Sequence, residues 1–203
     1  MTLKGIDVSR YQGVIDWGKV SRAGIQFAMV RASEGQSTRD SMFASNVAGA
    51  QKNGLAVGAY HYSYAQNAAQ AKAEANNFLA AVKGQKLTYP LAFDLEPNTK
   101  TSSVTGLWSD MAVAFLQALE SAGYFAMLYS NKYSLESIYD PAKIAPFAVW
   151  VADWAPKCAY QGSYGIWQTS NTGKVSGVTG AVNTNISYVD YAGIIKHAGL
   201  NHL

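Results

Sequence analysis

Cysteine is nearly missing from this chain of 203 residues: Cys158 is the only one, so no internal disulfide can form. Three scattered histidines and that lone thiol supply no cluster with the spacing of a zinc site, and no metal or other cofactor is expected. Charge is scarce as well. Charged residues make up 14% of the chain, against roughly 25% in an average soluble domain. Lys and Arg form no runs, so the net charge of +3 does not point to nucleic acid. The start, MTLKGIDVSR, has no apolar signal-like stretch, and no run approaches the length of a membrane span. A protein made in the cytoplasm without a signal peptide, and not inserted in a membrane, is the expectation. No two glycines have the G-x-G spacing, and neither a Walker loop nor a G-x-S-x-G elbow occurs. Nucleotide binding and acyl transfer therefore find no support.

What the chain does have is 49% hydrophobic residues, enough for one domain spanning 1–203 with a substantial core. Its polarity rests largely on 13 tyrosines and on Asn, Ser and Gln, the neutral hydrogen-bonding surface that a sugar-binding groove uses. Strand-like runs recur along it: KGIDVS, FAMVRA, AVGAYHYSY, LAFDLE, YFAMLYS, FAVWVADW and YGIWQTS. Helical segments are expected over 40–53 from a capping Asp40, over 67–83 from Asn67, and over 103–122 from Ser103, each stopping at or before a glycine. Strands alternating with helices predict an α/β fold with a mainly parallel sheet. After Trp154 the rhythm shortens, and NTGKVSGVTGAVNTN carries turn residues and no helix pattern between strands. A single irregular β/α barrel of about eight strands, the last few joined by turns, fits this better than an open doubly wound sheet.

The run YPLAFDLEP sets Asp94 and Glu96 two apart in an apolar segment. On a strand these share a face, about 6.6 Å apart, while Leu91, Phe93 and Leu95 face the surrounding helices. Two acids this close disfavour each other's ionisation, so one keeps its proton to higher pH. Glycoside hydrolysis needs that pairing: one acid donates to the leaving oxygen and its ionised partner stabilises charge or a nucleophile. Two solvated acids at a strand end, or a pairing with a nearby arginine, would be the purely structural alternative. Asp7 lies between Ile6 and Val8 and by alternation points to the barrel interior, whereas Asp16 suits an N-cap.

GIDVSRYQGVIDW, VRASEG with RDSMFASN, GAYHYSY, FDLEP, YS at 129–130, WVADW and GIWQTS stand in the order and spacing of glycoside hydrolase family 25, and the chain resembles it over nearly its whole length. The resemblance implies a flattened, TIM-like β/α barrel. It also implies a lysozyme that cleaves the β-1,4 bond between N-acetylmuramic acid and N-acetylglucosamine in bacterial peptidoglycan without a cofactor; a monomer is expected. Carried over by position, Glu96 would be the general acid, Asp94 would orient the substrate's N-acetyl group, and Asp7 would hold the charge pattern. Both retention by a neighbouring-group route and inversion stay open. Tyr62, Tyr64, Tyr129, Trp150 and Trp154 fall near strand ends where they can stack on sugars, or else pack as core; for Trp150 and Trp167 the two weigh equally. His61 alternates away from its tyrosine neighbours and reads as a packing residue. Glu34 matches an acidic family position, with an ion pair to Arg31 as the alternative. In one place the pattern breaks: many relatives carry an Asp in VDxN, where this chain reads VNTN, with Asn183 in that position. No wall-binding module is recognised, and a phage endolysin released by a holin-type partner is the expected setting.

Two rivals remain. A barrel-type chitinase also ends a strand in D-x-E, but Ala92 and Phe93 stand where its further alternating acids belong. A silent glycan-binding barrel would account for Asn183, yet binding alone does not require paired acids.

Overall fold

A computed structural model of the chain describes residues 2–96 and 106–203. β1 (Leu3–Val8) leads through a 3-10 turn (Arg10–Gln12) into α1 (Trp17–Arg22), and β2 (Phe27–Glu34) with the short β3 (Thr38–Arg39) precedes α2 (Phe43–Lys52). Strict alternation follows: β4 (Ala56–Tyr62), α3 (Ala68–Val82), β5 (Leu91–Asp94), α4 (Leu107–Ser121) and β6 (Ala126–Asn131). The last part comprises α5 (Lys132–Ser137), α6 (Pro141–Ile144), β7 (Ala148–Ala152), β8 (Ile166–Gly173), β9 (Val182–Ser187) and α7 (Tyr191–His197).

These strands form one sheet in the order β1-β9-β8-β7-β6-β5-β4-β2-β3, and β1 also pairs with β2, so every strand but the edge strand β3 closes into a barrel. Pairings from β1 through β2 and β4 to β8 are parallel, while β9 runs antiparallel to both β8 and β1. The turn-rich stretch before VNTN is thus the connection of a hairpin, as its composition suggests. The sequence reading did not include β3, the short α5 and α6, or α7, which follows the last strand.

Local chemistry explains where the helices begin. Asn67 accepts from the Gln70 amide at 2.9 Å and Asp16 from the Lys19 amide at 3.0 Å, both N-caps as expected. Asp40 is a correction. The N-cap of α2 is Met42, and the Asp40 carboxylate accepts instead from the Met42 amide, the Arg10 amide and Arg31 Nε. A buried arginine competes for that carboxylate, and the helix starts after it. The expected cap of α4, Ser103, lies outside the described residues; the helix opens at Leu107 after Gly106.

Two apolar layers result. Outward-facing residues meet the helices, as where Phe93 stacks on Phe115 with ring centroids 3.8 Å apart; burying each such ring stabilises by about 1.5–3 kcal/mol. The interior layer is apolar at its base, where Phe27 stacks on Tyr89 at 4.8 Å and Tyr191 and Ile195 of α7 close the opening. Gly5 lets this happen, since a Cβ there would run into the Phe27 ring. Toward the C-terminal ends of the parallel strands the interior turns polar: Asp7, Arg31, Tyr60, Asp94, Tyr129 and Trp150 line the mouth.

Candidate active site

Asp94 is the last residue of β5, and Glu96 lies just beyond the strand rather than on it. The backbone between them is nonetheless pinned. The Leu95 amide donates to Tyr129 O at 3.3 Å, and the Leu95 carbonyl accepts from Ser130 Oγ at 2.9 Å and the Tyr139 hydroxyl at 3.0 Å. Both acids consequently open into one groove at the barrel mouth, the place where barrel folds hold their sites.

Two hollows make up this groove. One, of about 310 Å³, is lined by Asp7, Asp94, Glu96, Tyr62, Tyr129, Trp150, Trp154 and Asn183, among others. The second, of about 360 Å³, is walled by Tyr62, Tyr64 and Glu96 together with Leu107, Trp108 and Met111. Tyr62 and Glu96 belong to both, so Glu96 stands at the junction of two spaces that each match a small-ligand pocket in size.

The three carboxyls meet different surroundings. Asp7 is buried and accepts three amide hydrogen bonds, from Gln168 Nε2, Asn183 Nδ2 and Asn185 Nδ2, all at 2.9 Å. Donor-only groups fix the direction of two of those amides. Trp150 Nε1 donates to Asn185 Oδ1 at 2.9 Å, and Gln168 Oε1 accepts from Trp154 Nε1 at 2.9 Å and the Tyr129 hydroxyl at 3.1 Å. Burial raises the Asp7 pKa, and the amides offset part of that rise. Asp94 has no such support: it is buried, and its Oδ1 has no hydrogen-bond partner. Burial, then the nearby charges of Glu96 and Asp7, push its pKa well above the ordinary carboxylate value, against a smaller pull from Arg31. Glu96 reaches solvent, yet the protein around it withholds enough water to raise its pKa, with Asp7 adding to the effect.

The aromatic residues divide by access. Trp154 and Tyr64 are 56% and 62% exposed, Tyr64 packing edge-on with Tyr62 at 5.2 Å, and Trp154 lies past the end of β7 rather than on it. Tyr129 and Trp150 are buried, in edge contact at 4.5 Å, and form the cleft floor; Trp150 is at once core and groove. Trp167 points the other way, into the outer layer, with Nε1 on Asp153 O. His61 is buried between Ser33 Oγ at 2.8 Å and Glu74 Oε2 at 3.2 Å, the packing position expected of it. Glu34 does not line either hollow; its oxygens pair with Arg10 and Arg31, each at 3.0 Å. Sequence reasoning missed Gln168 and Asn185, although the alternation that exposes Asn183 also carries Asn185 to the same face.

The profile of Glycosyl hydrolases family 25 matches residues 6–178. The chain belongs to this family. It is 32% identical over 200 residues to Lysozyme M1 of Streptomyces globisporus, covering 90% of this chain and 67% of that protein. Among solved structures, the CTP1L endolysin superposes with a TM-score of 0.83 at 26% identity, over 96% of this chain and 70% of its own. The bacterial lysozyme of Streptomyces coelicolor gives 0.82 at 27% identity, over 97% of this chain and 96% of its own. Family membership makes the chain a glycoside hydrolase on a TIM-like barrel. The matched region ends before β9, so Asn183 and Asn185 fall outside it.

Proposed function

We propose that this family 25 lysozyme cleaves the β-1,4 bond between N-acetylmuramic acid and N-acetylglucosamine with Glu96 as the general acid, Asp94 orienting the substrate's N-acetyl group and Asp7 as fixed charge behind both. The observation that carries this reading is the contrast between the paired acids. Asp94 is buried with an oxygen left unpartnered, while Glu96 reaches solvent at the junction of the two hollows, where a leaving oxygen can meet it; both pKa values are raised, that of Asp94 further. A raised pKa keeps Glu96 protonated closer to neutral pH, where it can donate to the leaving oxygen. The free oxygen of Asp94 suits the amide N–H of the acetamido group. Two attackers fit such a site, the acetamido oxygen with retention or a water with inversion, and the first-formed anomer, read by proton NMR, tells them apart.

In this reading Tyr62, Tyr64, Tyr129, Trp150 and Trp154 shape the sugar groove, Asn183 supports Asp7, and Glu34 acts indirectly by holding Arg31. Residues 1–203 work as one catalytic domain, and as a monomer. Likeness to an endolysin supports a lytic role for a protein made in the cytoplasm and released to the wall by a membrane-permeabilising partner. Among the described residues no helix is long and apolar enough to cross a membrane.

The Glu96→Gln variant tests the assignment. Turbidity clearing of purified walls should fall by about 10²–10⁴, the usual worth of a general acid, while sedimentation with those walls is retained. Clearing at the parent rate would defeat the assignment, and release of reducing ends from chitin but not from peptidoglycan would favour the chitinase reading.

A further inference from the structure

Among the described residues Arg31 is the one cation lining the acidic hollow, and its guanidinium is held from several sides. Nε donates to Asp40 Oδ2 at 2.9 Å, Nη1 pairs with Glu34 Oε2 at 3.0 Å, and the Tyr11 ring lies 4.9 Å from Cζ. The side chain is 7% exposed, and Nη2 is left buried with no hydrogen-bond partner. A planar fork clamped at two corners cannot turn its third corner elsewhere, so Nη2 is a donor of fixed direction just beneath the surface of a residue that lines the cleft. An unmatched buried donor of this kind calls for an acceptor when the site is filled.

We propose that Arg31 is the residue that reads muramic acid, with Nη2 donating to the carbonyl oxygen of the lactyl group on the sugar's 3-position. This rests on the reading that Asp94 faces the 2-acetamido group. Position 3 adjoins position 2 on the ring, so a group reading the 3-substituent has to stand beside Asp94, and Arg31 does: both line the same hollow, and Arg31 acts electrostatically on Asp94. Charge decides what kind of acceptor fits. Asp40 and Glu34 already balance the guanidinium, so it lacks a hydrogen bond rather than a counter-ion. That suits a neutral carbonyl, as the lactyl group becomes once a peptide stem is joined to it by an amide bond. Glucosamine has only a hydroxyl at this position and does not reach as far, which gives the cleft a way to prefer wall glycan over chitin.

The experiment uses a Glu96→Gln background, in which substrate survives, and two probes: a tetrasaccharide of alternating N-acetylglucosamine and N-acetylmuramic acid carrying peptide stems, and chitotetraose. Adding Arg31→Lys, which keeps the charge but loses the fork, should weaken the stem-bearing probe about ten- to a hundredfold and leave chitotetraose within about twofold. Equal weakening of both probes would mark Arg31 as merely structural, and no weakening of either would overturn the proposal. A second readout leaves Arg31 intact: the guanidinium protons of Arg31, followed by ¹⁵N NMR in Glu96→Gln alone, should exchange more slowly with the stem-bearing probe and be unaffected by chitotetraose. The same rate with both probes contradicts the proposal. Persistent lysis by Glu96→Gln would refute the catalytic assignment instead, and the Arg31 contact would then be read from KM for the stem-bearing probe with and without Arg31→Lys.

Discussion

Replacing Asp94 with Asn should stabilise the protein at neutral pH while abolishing its activity. Asp94 is buried, its Oδ1 has no partner, and burial together with Glu96 and Asp7 outweighs the attraction of Arg31. Ionised, that unpartnered oxygen carries a desolvation cost of about 1–3 kcal/mol or more; an amide in its place is equally unpartnered but carries no charge for its neighbours to repel. With ~2 kcal/mol as the central value and about 2–4 °C per kcal/mol for a chain of this size, Asn should raise the unfolding temperature by about 4–8 °C at pH 7.

The gain depends on pH in a definite direction. Asp94 binds its proton more tightly folded than unfolded, so its contribution to stability is fully present below the unfolded pKa of about 3.9 and is lost as pH rises through the raised folded pKa. Asn carries no such dependence. The two proteins should therefore unfold at similar temperatures near pH 4 and separate, with the variant higher, as pH climbs to 7. Scanning calorimetry at both pH values measures the difference, and wall clearing measures the lost activity. A variant less stable than the parent at pH 7, or one with the same gain at both pH values, would refute the burial argument. The expected outcome is a trade of stability against function at one carboxyl.

Two other substitutions probe the scaffold around the site. Asn183→Asp replaces a donor to Asp7 with a second acid; the added negative charge should raise Glu96 further and move the alkaline limb of the pH–rate curve, where Glu96 loses its proton, to higher pH, so superimposable curves would sink the idea. Gly5→Ala forces a methyl group into the Phe27 ring at the barrel base and should cost about 1–3 kcal/mol, seen as a lower unfolding temperature with unchanged activity per folded molecule; an unaltered unfolding temperature would mean that the ring yields freely.

Much of this architecture was legible because it rests on alternation. Asp7 between Ile6 and Val8, and Asp94 between Phe93 and Leu95, declare which face is buried under helices and which enters the barrel, and the structure follows both. Hairpin closure was visible in the turn residues before VNTN. What was not legible depends on partners distant in sequence. Asp40 looks like a helix cap because capping is local, yet Arg31 and the Arg10 amide claim its carboxylate. The helix α7 leaves no mark between strands, since its task is to close the barrel base against Tyr89 and Phe125.

The gap is widest at the acids themselves. D-x-E gives the pairing of Asp94 and Glu96 but not the inequality between Asp7 and Asp94, which decides what each can do. Asp7 is satisfied by amides from β8 and β9, more than 160 positions away along the chain for Gln168, whose separation is 161. Asp94 is left unsatisfied by everything around it. A buried carboxyl with three donors is held as a structural charge, and one with an unpartnered oxygen is the one that the proposed function turns to the substrate. That difference is made by Gln168, Asn183 and Asn185, neutral residues that no acid-centred motif includes, so in this barrel the inequality of the two aspartates is written in the amides of β8 and β9.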